Sequence, residues 1–172
     1  MTDDELLVHE LQTASTRSTL KGGNEIDYTF NYETEKPEEE NQSKQTNQFL
    51  TVLDLYSDKP ENLKITFSSA NFDYGNYPDA SKHRWLIRTH AGYSLSLDVK
   101  KVDLERDLDT VNVYDVSTNG NKKLLREVEL STQLDTSSNQ LLVVFKSDCS
   151  VSRSGFSAIV TVIEDHGLKC LY

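Results

Sequence analysis

From residue 49 onward, apolar and polar residues alternate in short runs separated by turn residues. Residues 49–56 (FLTVLDLY) end at Asp58-Lys59-Pro60, and Leu63, Ile65 and Phe67 alternate next. Trp85-Leu86-Ile87 begins a further run after a loop-like stretch at 71–81. Leu95, Leu97 and Val99 share a phase that Val102 and Leu104 break. A slip of one residue inside a strand predicts a bulge, because successive side chains point to opposite faces. Val111, Val113 and Tyr114 precede Asn119-Gly120-Asn121, a hairpin turn sequence. Residues 124–130 lead through a polar stretch to 140–148 (QLLVVFKSD). Phe156, Ala158, Val160 and Val162 close the series in one phase. No stretch repeats at the period of a helix. Many short strands with turns between them predict an all-β fold, an antiparallel β-sandwich over residues 49–165, followed by a tail at 166–172.

The chain before residue 49 has a different character. Residues 35–48 (EKPEEENQSKQTNQ) hold no aliphatic or aromatic side chain, so they cannot offset their ordering entropy by burial and read as a linker. In residues 25–33, Ile26, Tyr28, Phe30 and Tyr32 alternate with polar residues after Gly22-Gly23, which predicts one half-buried strand. A lone strand needs a partner. Residues 1–34 are therefore either the tail of a preceding module in a longer protein or a strand paired onto the sandwich.

Composition narrows the function classes. The formal charge of the 172 residues is -10, and eleven of the 28 acids against four of the 18 bases fall in residues 1–48. The predicted domain is nearly balanced, and the net negative charge of the chain argues against nucleic acid as a partner. Two cysteines and four histidines exclude a disulfide-dense mini-domain and a zinc-finger framework. No apolar run approaches the ~18 residues of a membrane helix. Residues 1–9 hold three acids and no base, unlike a secretory signal. Asn41-Gln42-Ser43 is a glycosylation sequon within the linker. There is no nucleophile elbow, phosphate-binding glycine loop or zinc-protease helix, so the chain is not expected to be an enzyme. His9, His83, His90 and His166 lack ligand spacing. Trp85 and Tyr114 read as structural residues.

Several segments form a recognisable order. They are Phe67-Ser68-Ser69-Ala70-Asn71-Phe72, Tyr77-Pro78, Trp85-Leu86-Ile87, Gly92 with Leu95, Leu97 and Val99, and Val102-Asp103-Leu104-Glu105. Asp109-Thr110-Val111-Asn112-Val113-Tyr114-Asp115, Phe145-Lys146-Ser147-Asp148 and Gly155-Phe156-Ser157-Ala158 follow. Over roughly residues 50–164 this set resembles the CUB domain, an extracellular jelly-roll β-sandwich. The usual four cysteines of that family are missing. His83 stands two residues before Trp85, no cysteine precedes Asp109, and the segment between Glu105 and Asp109 is short.

The resemblance implies a non-catalytic, extracellular or secreted protein-binding module of a larger multidomain protein, such as an astacin- or tolloid-like metalloprotease. It also implies one calcium ion. The ligand positions carried over are Glu105, Asp109 and Asp148, with Ser150 as a nearby oxygen donor and Tyr77 as the tyrosine that steadies the acids. A partner's Lys or Arg would dock there, flanked by Tyr74 and Tyr77, with Asp107 as a further contact or substitute ligand. Cys149 and Cys170 are a candidate disulfide in an oxidising compartment. Taken from spacing alone, the three acids read as solvated loop residues. Two other classes stay open: a β-sandwich module binding lipid headgroups or carbohydrate, and a glycan-active enzyme using paired acids.

Overall fold

A computed structural model of the chain describes residues 47–165 and, ahead of them, strands β1 (Ser18–Lys21) and β2 (Glu25–Tyr28). Of the linker expected at 35–48, residues 35–46 with the sequon lie outside the described residues, as does the tail carrying His166 and Cys170, whereas Asn47 and Gln48 belong to a strand. The remaining strands are β3 (Asn47–Leu55), β4 (Lys64–Ser68), β5 (Ser81–Thr89), β6 (Tyr93–Asp103) and β7 (Thr110–Val116). They continue with β8 (Lys122–Glu127), β9 (Thr132–Asp135), β10 (Gln140–Lys146) and β11 (Gly155–Glu164). No helix occurs among the described residues.

Two sheets face each other. One has six strands in the order β1-β2-β4-β11-β6-β9, the other five in the order β3-β5-β10-β7-β8. Most neighbours are antiparallel, as the turn-rich sequence predicts. Two pairs, β2 with β4 and β3 with β5, are parallel. Parallel neighbours need a crossover between them. Here each crossover passes through the opposite sheet: β3 lies between β2 and β4 in sequence, and β4 between β3 and β5.

Alternation along β4, β5 and most of β7 and β11 turns one face of each sheet inward. Trp85 is fully buried, with its ring 5.3 Å from Phe67 and 5.4 Å from Phe156, centroid to centroid. Phe156 in turn meets Phe145 at 6.1 Å. These contacts hold β4 and β11 of one sheet over β5 and β10 of the other. Burying each such side chain contributes about 1.5–3 kcal/mol. Trp85 is therefore core, as expected from its place in an alternating strand.

The predicted phase break on β6 is a β-bulge. Ser157 pairs with Lys101 but Ala158 with Val99, leaving Lys100 unmatched. The Asn119-Gly120-Asn121 turn closes the β7–β8 hairpin, with Gly120 at φ 84° and the Ser117 N–H donating to the Asn121 carbonyl. Two features differ from the sequence reading. β5 starts at Ser81, four residues before Trp85, because Ser81 and His83 face inward although both are polar. β9 lies in the polar stretch, where Leu134 alone packs on the core, so no apolar period announces it.

His83 occupies the place two residues before Trp85. Its ring stacks on the indole with centroids 3.8 Å apart, and its Nε2 lies 2.9 Å from Thr51 Oγ1. Burial pushes its pKa down to about 3, so it is neutral in the folded protein. Unfolded, it takes up a proton below its ordinary pKa of about 6.5. The unfolded state then binds more protons than the folded one, and stability falls as pH drops from that value toward the folded one. Denaturant melts of the full chain and of His83→Phe between pH 7 and 4.5 check this. The parent loses up to ~1.4 kcal/mol per pH unit more than the variant. Parallel pH profiles would show that His83 carries no such linkage.

Candidate metal centre

The strand register brings three loops to one end of the sandwich. Asp103 at the end of β6 pairs with Gly155 at the start of β11, and Ser68 at the end of β4 pairs with Ser157. In the other sheet Lys146 at the end of β10 pairs with both Thr110 of β7 and Lys82 of β5. The loops at 69–80, 104–109 and 147–154 must therefore meet. Gly155 makes that meeting close. It has φ 89°, and a Cβ there would sit 1.8 Å from Ser69 Oγ, so only glycine fits. Ser69 Oγ accepts from the Phe156 N–H at 3.0 Å, which locks the loop before β11 onto the end of β4.

Glu105, Asp109 and Asp148 converge here. One carboxylate oxygen from each lies within 4.8 Å of the others. Asp109 is buried, and the other two are half-buried. Asp109 is held from two sides: the Tyr77 hydroxyl donates to Oδ2, and the Asp148 N–H donates to Oδ1 at 2.9 Å. The Tyr77 oxygen also accepts the Glu105 N–H at 3.1 Å. Ser150 Oγ lies 2.6 Å from both Glu105 Oε2 and Asp148 Oδ1. The Ser150 N–H donates to Asp148 Oδ1 at 2.8 Å, and the Val151 N–H to Glu105 Oε2 at 3.1 Å. Glu105 Oε1 and Asp148 Oδ2 have no hydrogen-bond donor among the described residues.

The electrostatics follow from these contacts. Burial, and then the hydrogen bond to Asp109, push the Tyr77 hydroxyl up to about 12, so it stays a donor. The Ser150 hydroxyl, and then its backbone N–H, hold Asp148 below the usual carboxylate range. Carboxylates this close repel one another unless a cation joins them. Oxygens bound to one calcium at about 2.3–2.6 Å lie no more than about 5 Å apart, so the observed spacing and the all-oxygen donor set fit that ion.

The other predicted residues separate. Tyr77 is 2% exposed and packs edge-on against Phe145, with centroids 5.1 Å apart. It therefore reaches a partner only through Asp109, whereas Tyr74, in the loop at 69–80, is 80% exposed. Asp107 is exposed at φ 66° in the turn between Glu105 and Asp109, outside the converging trio. Cys149 is exposed with a free thiol, and Cys170 lies outside the described residues.

One supporting residue escaped the sequence reading. Ala80 sits at φ 52° and donates its N–H to the Asp148 carbonyl at 2.6 Å. A left-handed alanine costs about 1–2 kcal/mol, and alanine is no turn signal, so nothing in the sequence marks it.

The family profile for the CUB domain matches residues 57–159. Human membrane frizzled-related protein is 33% identical over 103 residues, covering 56% of this chain and 18% of that protein. The mouse protein of the same name is 31% identical over 111 residues, covering 60% of this chain and 19% of its own length. The matched part thus spans about a fifth of these relatives. Among solved structures, the extracellular region of zebrafish Gpr126/Adgrg6 superposes with a TM-score of 0.54 at 22% identity, covering 69% of this chain and 15% of that one. The CUB1-EGF-CUB2 region of human MASP-1/3 gives 0.53 at 18% identity, covering 65% and 41%. At these identities the superpositions speak for the fold, and the fold agrees with the profile match, which covers more than half the chain. The chain belongs to the CUB-domain family.

Proposed function

We propose that this chain is a non-catalytic module that binds another protein outside the cell, and that the binding depends on calcium held by Glu105, Asp109 and Asp148. CUB domains are protein-interaction modules of multidomain extracellular proteins, which supports the first half. The observation that carries the second half is the convergence of three carboxylates within 4.8 Å at one end of the sandwich. The Ser150 hydroxyl and water would complete the oxygen shell. The ion would neutralise the acids and order the loops that bear them. Spare carboxylate lone pairs would then accept a partner's ammonium or guanidinium.

Tyr74 and Asp107, both exposed in loops at this end of the sandwich, would supply the flanking contacts in this reading. Tyr77 acts from behind by fixing Asp109. No helix among the described residues is long and apolar enough to cross a membrane.

Calorimetric titration of calcium into the full chain checks the reading. One ion binds per chain, and Asp148→Ala removes the heat. Absence of heat at millimolar calcium in the parent would sink the calcium half. Retention on immobilised extracellular proteins is expected with calcium and lost with chelator, whereas retention on anionic liposomes or glycan beads alone would point to another ligand class. Tyr77→Phe leaves all three carboxylates in place but frees Asp109, so calcium affinity drops by about 10–100-fold, as for other groups that orient metal ligands. Unchanged affinity in this variant would remove Tyr77 from the site.

A further inference from the structure

A row of apolar side chains crosses the outer face of the five-stranded sheet. Val52 stands beside Leu86, Leu86 beside Leu142, Leu142 beside Tyr114, and Tyr114 beside Leu124, one residue from each strand. The row faces away from the core, because the alternate residues of β5, Ser81 through Thr89, point inward. Leu142 and Val144 form a small cluster with Val116, with Leu86 and Tyr114 packed against it. Toward the sheet edges the row opens to solvent: Val52 and Leu50 are each 45% exposed and Leu124 53%.

Basic residues border this stripe. Lys82, Arg84 and Arg88 occupy the outward positions of β5, Lys146 extends β10, and Lys122 opens β8. Of these, Arg88 has a carboxylate partner among the described residues, Asp54 at 2.7 Å. The Arg84 Nε is buried with no hydrogen-bond partner there, an orphaned donor immediately beside the stripe. Burial first, and then Lys146, Arg84 and Lys122, lower the pKa of Lys82, the mark of a locally positive field.

A second copy of the same face would set these cations against one another. The charge calls for an acidic, apolar segment, and the chain carries one. Residues 3–11 (DDELLVHEL) hold four acids and Leu6, Leu7, Val8 and Leu11, with no Lys or Arg.

The fold places that segment within reach. Phe67 against Trp85 sets β4 over β5, so β2 and β1 continue on the side of the sandwich where β3 is the edge. Ser18 begins β1 on that side. Six residues, 12–17, span up to about 20 Å, and facing sheets lie about 10 Å apart.

We propose that residues 3–11 dock on the stripe formed by Val52, Leu86, Leu142 and Tyr114, with their acids against Lys82, Arg84 and Lys146. This docking is independent of the calcium reading. It covers the part of the row that opens to solvent at Val52 and Leu50.

A photo-crosslinking residue placed at Leu7 in the full chain tests it. Under dilute conditions, mass spectrometry of the monomer should find crosslinks to peptides bearing Leu86, Tyr114 or Leu142. Val52→Glu puts a carboxylate in the stripe at a position already half exposed. It should cut that crosslink yield by about tenfold, because a buried unpaired charge is strongly disfavoured. Its circular dichroism and melting curve show that it still folds. Crosslinks that map to the six-stranded sheet, that scatter over the surface, that form only between chains, or that survive Val52→Glu unchanged would overturn the proposal.

Discussion

Burial of Tyr77 ties the acidic end of the sandwich to its core. The ring packs against Phe145, in contact with the same aromatic cluster that joins the two sheets. The hydroxyl reaches out of that cluster to Asp109 and the Glu105 N–H. Without this link, two loops would carry three acids with nothing to gather them. With it, Asp109 is fixed first, because both of its oxygens accept hydrogen bonds from the protein. Asp148 and Glu105 then stand on either side, bridged by Ser150. The site is thus pre-formed on its buried side and open on its exposed side, the arrangement a hard cation with water ligands requires.

Without the usual cysteines of the family, the sandwich rests on its packed core, on partners or on metal. A disulfide typically contributes about 2–4 kcal/mol. Where the family resemblance calls for a cysteine near Trp85, this chain has His83, buried neutral against the indole. The stack keeps that position filled without a covalent bond. The cost is acid sensitivity, since the imidazole gains a proton only when the fold opens. Gly155 and Ala80 add local constraint, one by allowing contact with Ser69 and the other by accepting a left-handed backbone to hold the Asp148 carbonyl.

Much of this was legible in the sequence, for identifiable reasons. The phase slip between Val99 and Val102 marked the β6 bulge, because period-two alternation is strict where one face is buried. The alternating run at Trp85 marked a core strand. The acids at Glu105, Asp109 and Asp148 were found through ordered motifs, not through spacing, which in a chain with 28 acids carries little information. The burial of Tyr77 could not be read locally, since it sits in a loop rich in Asn, Asp and Gly. The parallel pairing of β3 with β5 was hidden too, because alternation reveals which face is buried but not which neighbour a strand takes. The outer stripe on the five-stranded sheet escaped for a related reason: Leu86, Tyr114, Leu142 and Leu124 come from four strands, and only the register aligns them.

The central claim is that Glu105, Asp109 and Asp148 act as one cation-binding unit. It is tested most directly by following the side-chain carboxyl carbons of the full chain by nuclear magnetic resonance during a calcium titration. Resonances of these three residues should move together and saturate at one equivalent, while Asp107 and the acids of the other sandwich end stay in place. Three independent midpoints, or shifts spread evenly over the surface acids, would contradict it.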